Sequence, residues 1–255
     1  MTNETLLAAE HLSVGYDKPL IEDICFALRG GEIMTLIGPN GSGKSTILKT
    51  IAGYLKQHGG AIYIENAPAD SLSPNEKARK LAVLLTERLR PNLMTCREVV
   101  ETGRYPYTGR FGLLSPADHA AVEAAVKLVQ MEDFADRDFS AISDGQRQRV
   151  MLARAICQEP QILILDEPTS YLDIYHKIIF LEILKQLAAE KHIAVVVSMH
   201  ELDFAEKISD YAVCVKNGEI FKYGKPDEIF RDEVMRTLFD IPEDLYTKYL
   251  SSSIC

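Results

Sequence analysis

The chain carries Gly38-Pro39-Asn40-Gly41-Ser42-Gly43-Lys44-Ser45-Thr46, which fits the pattern Gly-x-x-x-x-Gly-Lys-Ser/Thr. We call these residues the phosphate loop. An apolar run from Glu32 to Ile37 precedes the loop and a segment of helical spacing from Lys44 to Ala52 follows it, so the pattern predicts strand, loop and helix in that order. Glycines let such a loop aim its N–H groups at phosphate oxygens, and the helix N-terminus adds positive potential.

Single side chains of the phosphate loop have predictable partners. Lys44 should reach the β- and γ-phosphates of a nucleotide, Ser45 should offer its hydroxyl to Mg²⁺, and Thr46 should add a phosphate contact. The loop alone indicates only nucleotide binding, since kinases, GTPases and motor ATPases share it. A generic monomeric phosphate-loop kinase is therefore a competing interpretation.

A second motif is the apolar strand pattern Ile162-Leu163-Ile164-Leu165 that ends in Asp166-Glu167. Ligands of α/β sheets bind at the carboxyl ends of strands. We expect Asp166 to hold Mg²⁺ through water, and Glu167 to orient and polarise the water that attacks the γ-phosphate. Two acids after a strand can also be a simple helix cap, which is the alternative.

One histidine follows the next strand pattern along the chain. His200 comes directly after Ile193 to Ser198 and should emerge at the same edge of the sheet. An imidazole there could contact the γ-phosphate and respond to hydrolysis. We therefore predict Glu167 and His200 as catalytic, with a purely structural histidine as the alternative.

Buried strand patterns and helical patterns alternate through much of the chain, which predicts an α/β fold with a mainly parallel sheet. An N-terminal hairpin is predicted from Leu6 to Arg29, and another is predicted about Asn217-Gly218. The span from about Glu98 to Glu159 is strongly helical and resembles an insert.

Composition narrows the class of protein. The chain has 255 residues, 47% hydrophobic, and a formal net charge of −9. That charge argues against a nucleic-acid partner. No apolar run approaches the roughly 18 residues of a membrane span, and no secretory signal is evident, so a cytoplasmic location is expected. The 5 cysteines show no paired spacing, which suits reduced thiols.

A third motif carries a family resemblance. Ser143-Asp144-Gly145-Gln146-Arg147-Gln148-Arg149, here called the signature segment, resembles the signature motif of ABC ATPases, although alone it would fit any capped helix. The resemblance implies a P-loop NTPase core with an antiparallel β subdomain and an inserted helical subdomain. It also implies a homodimer that sandwiches two MgATP, in which Ser143, Gly145, Gln146 and Asp173 contact the nucleotide of the opposite copy.

The resemblance extends to Tyr16, which matches an aromatic that stacks on adenine, although an exposed turn tyrosine is the alternative. Two positions depart from the family pattern. Asp144 replaces a glycine and would repel an anion unless it points away or is paired. Thr86, with Glu87 beside it, takes the place of a glutamine near the metal. The residues expected to bind nucleotide within one chain are Tyr16, Gly38, Pro39, Asn40, Gly41, Ser42, Gly43, Lys44, Ser45, Thr46, Thr86, Glu87 and Asp166, with Ser45 and Asp166 as metal ligands.

The resemblance also suggests a transporter type. Gly103-Arg104-Tyr105-Pro106 is similar to a stretch in the ATPases of bacterial importers for ferric siderophores, haem and cobalamin. It implies membrane permease subunits bound through the helical insert, an extracytoplasmic binding protein, and a peripheral position on the cytoplasmic face of the membrane. A non-transport ABC ATPase with soluble partners remains the alternative.

The resemblance also implies how the chain divides into subdomains. The expected subdomains are a nucleotide-binding core at 1–87 and 160–225, a helical subdomain at 88–159 and a helical tail at 226–255.

Overall fold

The computed structural model describes residues 4–85, 93–109 and 111–249. Its strands and helices follow the alternation that the sequence predicts. The strands are β1 (Thr5–Gly15), β2 (Pro19–Arg29), β3 (Ile33–Ile37), β4 (Gly59–Ile64), β5 (Ala67–Pro68), β6 (Leu81–Leu84), β7 (Ile162–Asp166), β8 (Ala194–Ser198), β9 (Tyr211–Lys216) and β10 (Glu219–Gly224). The helices are α1 (Lys44–Ile51), α2 (Pro74–Lys80), α3 (Cys96–Glu101), α4 (Pro116–Leu128), α5 (Asp144–Cys157), α6 (Ile174–Lys191), α7 (Leu202–Ile208), α8 (Pro226–Ile229), α9 (Asp232–Phe239) and α10 (Glu243–Tyr249).

The central sheet has six strands in the order β10-β9-β3-β8-β7-β6. All its neighbours are parallel except the β9–β10 hairpin, which confirms the predicted mainly parallel sheet. Strands β3, β7 and β8 are buried along their whole length, as their apolar composition requires. Their carboxyl ends lie side by side, and Ser198 pairs in register with both Leu36 and Asp166.

Two hydrophobic clusters cover the two faces of this sheet. Successive residues of a strand point to opposite faces, so Leu163 and Leu165 of β7 join one cluster while Ile162 and Ile164 join the other. The first cluster contains the buried hydrophobic residues of α3 to α7. The second packs the sheet against α1 and the antiparallel sheet β2-β1-β4-β5, which confirms the predicted N-terminal antiparallel unit.

Helices α3, α4 and α5 pack together and carry the segment around Arg104. The Arg104 side chain is 5% exposed and forms ion pairs with Asp118 at 2.8 Å and Glu159 at 2.7 Å. It also donates to the Cys157 carbonyl at 2.7 Å, and its guanidinium lies 3.9 Å from the centre of the Tyr107 ring. This arginine therefore ties the segment after α3 to the start of α4 and to the end of α5.

Helices α8 to α10 follow the last hairpin and form the C-terminal part of the described chain. Lys216, at the end of β9, forms an ion pair with Asp240, which follows α9, at 2.6 Å. No helix in the described ranges is both long enough and apolar enough to span a bilayer.

Candidate active site

The phosphate loop connects the end of β3 to the start of α1, as its pattern predicts. Gly38 has a φ of 148°, and a Cβ at this position would lie 2.0 Å from the carbonyl oxygen of Val215. Gly43 has a φ of 110°, and its Cβ would lie 2.6 Å from Ile21 Cδ1. A side chain would strain the backbone at both positions, and at Gly38 it would also collide with the main chain, so both positions favour glycine.

Lys44 and Ser42 supply polar groups inside the phosphate loop. The Lys44 Nζ donates to the carbonyls of Gly38 at 2.8 Å and Pro39 at 3.0 Å. Burial lowers the pKa of Lys44 from that of an ordinary lysine, while the carboxylates of Glu167 and Asp166 oppose the shift. The Ser42 hydroxyl is buried without a hydrogen-bond partner among the described residues. A buried hydroxyl that is available to donate a hydrogen bond fits a loop that binds an anion.

A hydroxyl and a carboxylate meet at the metal position predicted from the sequence. The Ser45 hydroxyl donates to Asp166 Oδ1 at 2.9 Å, and the Ser198 hydroxyl donates to the same oxygen at 2.7 Å. Asp166 is only 3% exposed. Oxygen ligands of this kind are those that Mg²⁺ prefers, so the donor set fits the predicted ion.

Glu167 and His200 also come together at this edge of the sheet. The His200 Nε2 lies 2.6 Å from Glu167 Oε1, and the Ser170 hydroxyl donates to the other carboxylate oxygen at 3.3 Å. The Glu167 backbone has a φ of 48°, and its N–H donates to the Ser198 hydroxyl at 2.9 Å. Such a backbone is uncommon outside glycine and is held here by the contacts around it.

The signature segment forms the N-cap and the first six residues of α5. Ser143 caps the helix: its hydroxyl accepts from the Gln146 N–H at 3.2 Å, and the Gln146 side-chain oxygen accepts from the Ser143 N–H at 2.9 Å. Asp144 forms an ion pair with Arg147 at 2.7 Å. A Cβ on Gly145 would lie 3.5 Å from Leu172 Cδ2, so the segment adjoins the loop before α6.

The other predicted residues lie at two further places. Asp173 caps α6, where it accepts from the His176 N–H at 2.9 Å and pairs with its imidazole. Tyr16 lies between β1 and β2 with 63% of its surface exposed. Thr86 and Glu87 lie outside the described residues. The structure therefore gathers the phosphate loop, Asp166, Glu167 and His200 at one sheet edge.

Two polar residues at this edge have no predicted role from the sequence. Ser198 bridges the carboxylate of Asp166 and the backbone of Glu167. Glu201 accepts from the Thr169 hydroxyl at 3.1 Å and forms an ion pair with Lys177. Both residues flank the Met199-His200 pair at the end of β8. Their closeness in the sequence to His200 is the signal that could have predicted a role for them in the site.

The fold and the site define an ATPase with a phosphate loop. The ABC transporter family matches this chain over residues 21–170. An uncharacterized ABC transporter ATP-binding protein of Methanocaldococcus jannaschii is 42% identical, over 96% of this chain and 85% of its own length. Iron(3+)-hydroxamate import ATP-binding protein FhuC of Bacillus subtilis is 36% identical, over 94% of this chain and 90% of its own. A solved dimeric bacterial ABC transporter cassette is 27% identical with a TM-score of 0.76, over 87% of this chain and 99% of that chain.

The chain belongs to the ABC transporter family and is an ATP-binding subunit with ATPase activity. This confirms the family and the activity predicted from the phosphate loop, the acidic pair and the signature segment.

Proposed function

We propose that this subunit powers the import of a ferric siderophore through separate membrane permease subunits, acting as a homodimer on the cytoplasmic face of the membrane. The observation that carries its ATP-driven part is the convergence of Lys44, Asp166, Glu167 and His200 on one sheet edge, beside a Ser42 hydroxyl that has no partner among the described residues. The iron(3+)-hydroxamate importer relative supports the direction and the cargo.

The phosphate loop holds the triphosphate of ATP. The buried Lys44 ammonium group donates to two loop carbonyls. When nucleotide binds, it can donate to phosphate oxygens instead. The Ser42 hydroxyl supplies a donor that is not already used within the described chain. Tyr16 is exposed, as a residue that stacks on adenine must be before nucleotide arrives.

Ser45 and Asp166 hold Mg²⁺, with Thr86 or Glu87 as a further oxygen donor. The 2.9 Å hydrogen bond between Ser45 and Asp166 puts two suitable oxygens in one place, and Ser198 fixes the carboxylate. When bound, Mg²⁺ neutralises charge on the phosphate oxygens.

Glu167 orients the attacking water and accepts its proton as the bond from the water oxygen to the γ-phosphorus forms; the bond from the γ-phosphorus to the β–γ bridging oxygen breaks, and ADP leaves with that oxygen. Its backbone is fixed by Ser198 and its side chain by His200 and Ser170, so the carboxylate is held before substrate arrives. His200 positions Glu167 and contacts the γ-phosphate.

The second copy completes each site through Ser143, Gly145, Gln146 and Asp173. Asp144 is paired with Arg147, which reduces the repulsion that its carboxylate would exert on the phosphates of the partner. The dimeric ABC transporter cassette supports this arrangement.

The helical insert, residues 88–159, contacts the permease subunits, and an extracytoplasmic binding protein delivers the cargo to them. Closing of the ATP-bound dimer brings the two inserts together, and the attached permeases follow. Hydrolysis then resets the dimer.

Reconstituted transport tests the proposal. Membrane vesicles that contain this subunit, its permeases and its binding protein should take up radiolabelled ferric hydroxamate when ATP is supplied on the cytoplasmic side. Vesicles with Glu167→Gln should not. Uptake of haem or a corrinoid in place of the ferric chelate would overturn the cargo, and association with soluble proteins alone would overturn the transport role.

A further inference from the structure

Three side chains outside the nucleotide site lie close together on the β1–β2 hairpin. His11 comes from β1, and Asp23 and Cys25 come from β2. One ligating atom of each lies within 4.8 Å of the others, and all three residues are exposed. They share no residue with the phosphate loop or the signature segment.

The distances among these atoms are close to those of a tetrahedral zinc site. The Cys25 Sγ lies 3.8 Å from His11 Nδ1 and 3.9 Å from Asp23 Oδ1, while Nδ1 and Oδ1 are 2.6 Å apart. Bond lengths of about 2.0 Å to nitrogen or oxygen and about 2.3 Å to sulfur imply ligand separations of about 3.3 to 3.6 Å. A change of less than about 1 Å in each of the three distances between ligand atoms would therefore place them correctly for a metal ion.

The backbone holds these side chains in place. His11 has a φ of 48° and Asp23 a φ of 59°, and the pairing of β1 with β2 shifts register between Ala9 and Leu12. The His11 N–H donates to Cys25 Sγ at 3.2 Å. Asp23 and Cys25 are two residues apart on one strand, so both project from the same face toward His11. The bulge thus preorganises a set of nitrogen, oxygen and sulfur ligands.

The chemistry of this set separates it from an ordinary surface ion pair. His11 and Asp23 alone would be an exposed pair that contributes little to stability. The thiol adds a soft ligand that binds Zn²⁺ strongly and Mg²⁺ or Ca²⁺ poorly. The geometry points to a Zn²⁺ site formed by His11, Asp23 and Cys25, with a fourth position left open to water or to a ligand from another molecule.

Zinc binding to the nucleotide-free full chain tests this site. Competition with a chromogenic chelator should give one tight Zn²⁺ per chain. Cys25→Ser and His11→Ala should each weaken that binding by at least about tenfold, because each removes a ligand. His119→Ala is the matched control and should leave zinc affinity unchanged. It removes another exposed histidine, whose Nδ1 also lies near a carboxylate, 4.0 Å from a Glu101 oxygen. Among the described residues, His119 belongs to no group of three metal-ligating side chains.

Two further readouts identify the ligands. Zn²⁺ should protect Cys25 from alkylation, and Co²⁺ should give a thiolate charge-transfer band that Cys25→Ser abolishes. Metal-free Cys25→Ser should unfold at the same temperature as the metal-free parent, which excludes misfolding as the cause of lost binding. Equal zinc affinity in the parent and both hairpin variants would overturn the site. Loss of zinc binding in His200→Ala alone would assign the ion to the nucleotide site instead.

Discussion

The Nε2 of His200 lies 2.6 Å from Oε1 of Glu167, although the two residues are 33 positions apart in the chain. They follow neighbouring parallel strands, so the sheet brings them to one edge. The proposed mechanism has the same imidazole contact the γ-phosphate, so we expect nucleotide binding to change the contact between His200 and Glu167.

Glu167→Gln should abolish most hydrolysis and keep ATP binding. An amide cannot accept the proton of the attacking water, so the rate should fall by about 10²- to 10⁴-fold. ATP then persists at the interface, and light scattering should detect a more stable dimer. Glu182→Gln, at an exposed position of α6, is the control and should hydrolyse at the parent rate. Hydrolysis of Glu167→Gln at that rate would remove Glu167 from the mechanism.

His200→Ala should lower the hydrolysis rate by about 10²-fold or more, because it removes a hydrogen-bond partner of Glu167 and, in the proposed mechanism, of the γ-phosphate. If His200 acts only by holding Glu167, its removal in the Glu167→Gln background should have no added effect. A further loss in the double variant would indicate a separate phosphate contact. His119→Ala is the control, and a parent-like rate for His200→Ala would contradict both roles.

Ser198→Ala should raise the concentration of Mg²⁺ needed for hydrolysis. The variant leaves the Asp166 carboxylate with one fewer donor and the Glu167 N–H without its acceptor. The unsatisfied buried groups should cost about 1–3 kcal/mol of unfolding free energy.

A matched control for Ser198 lies on β3. The Thr35 hydroxyl is buried and lies 2.7 Å from that of Ser209, away from the predicted metal ligands. Thr35→Val should show a comparable loss of stability with an unchanged Mg²⁺ requirement. Equal Mg²⁺ requirements in Ser198→Ala and the parent would show that Ser198 does not position the carboxylate.

The sequence predicts this site well because parallel strands place successive strand ends side by side. A strand pattern before Asp166-Glu167 and another before His200 are enough to bring those residues together. The hydrogen bond between Glu167 and His200 depends on rotamers and on the left-handed φ of Glu167, which no periodicity reveals. Helix α2 was missed because it buries no residue and so has no apolar stripe, although Ser73 and Glu76 form its capping box.

The buried pair of Arg104 and Asp118 should make stability depend on acid pH. The Ser115 hydroxyl and N–H, and then the Arg104 guanidinium, lower the pKa of Asp118 from 3.8 to about 2. A carboxyl whose pKa is lowered by folding stabilises the protein above its unfolded pKa and loses that effect as pH falls through its folded pKa. The difference in unfolding free energy between the parent and Asp118→Asn should therefore be constant above about pH 5, roughly one unit above the unfolded pKa. This difference should shrink as the pH falls toward about 2.

Arg104→Met provides the complementary test. It leaves the buried Asp118 without its cation, which should cost about 3–5 kcal/mol in denaturant unfolding at neutral pH. Arg137→Met is a control at another arginine that lies over an aromatic ring, with its guanidinium 4.6 Å from the Phe134 ring centre, and should cost much less. A pH-independent difference between the parent and Asp118→Asn would show that Asp118 is not held ionised by its neighbours.

Asp144 and Arg147 should act as a unit when the ATP-bound dimer forms. Their 2.7 Å ion pair neutralises a carboxylate at a helix start that we propose faces the phosphates bound by the partner copy. Arg147→Gln exposes that charge and should weaken ATP-dependent dimerisation by several-fold, more at low salt than at high salt. Asp144→Asn should leave dimerisation equal or stronger, and the double variant should recover most of what Arg147→Gln loses.

A double-mutant cycle of the dimerisation constants, obtained by light scattering with ATP present, measures the coupling between Asp144 and Arg147. Additive effects would mean that Asp144 points away from the partner nucleotide and that its pairing has no part in assembly.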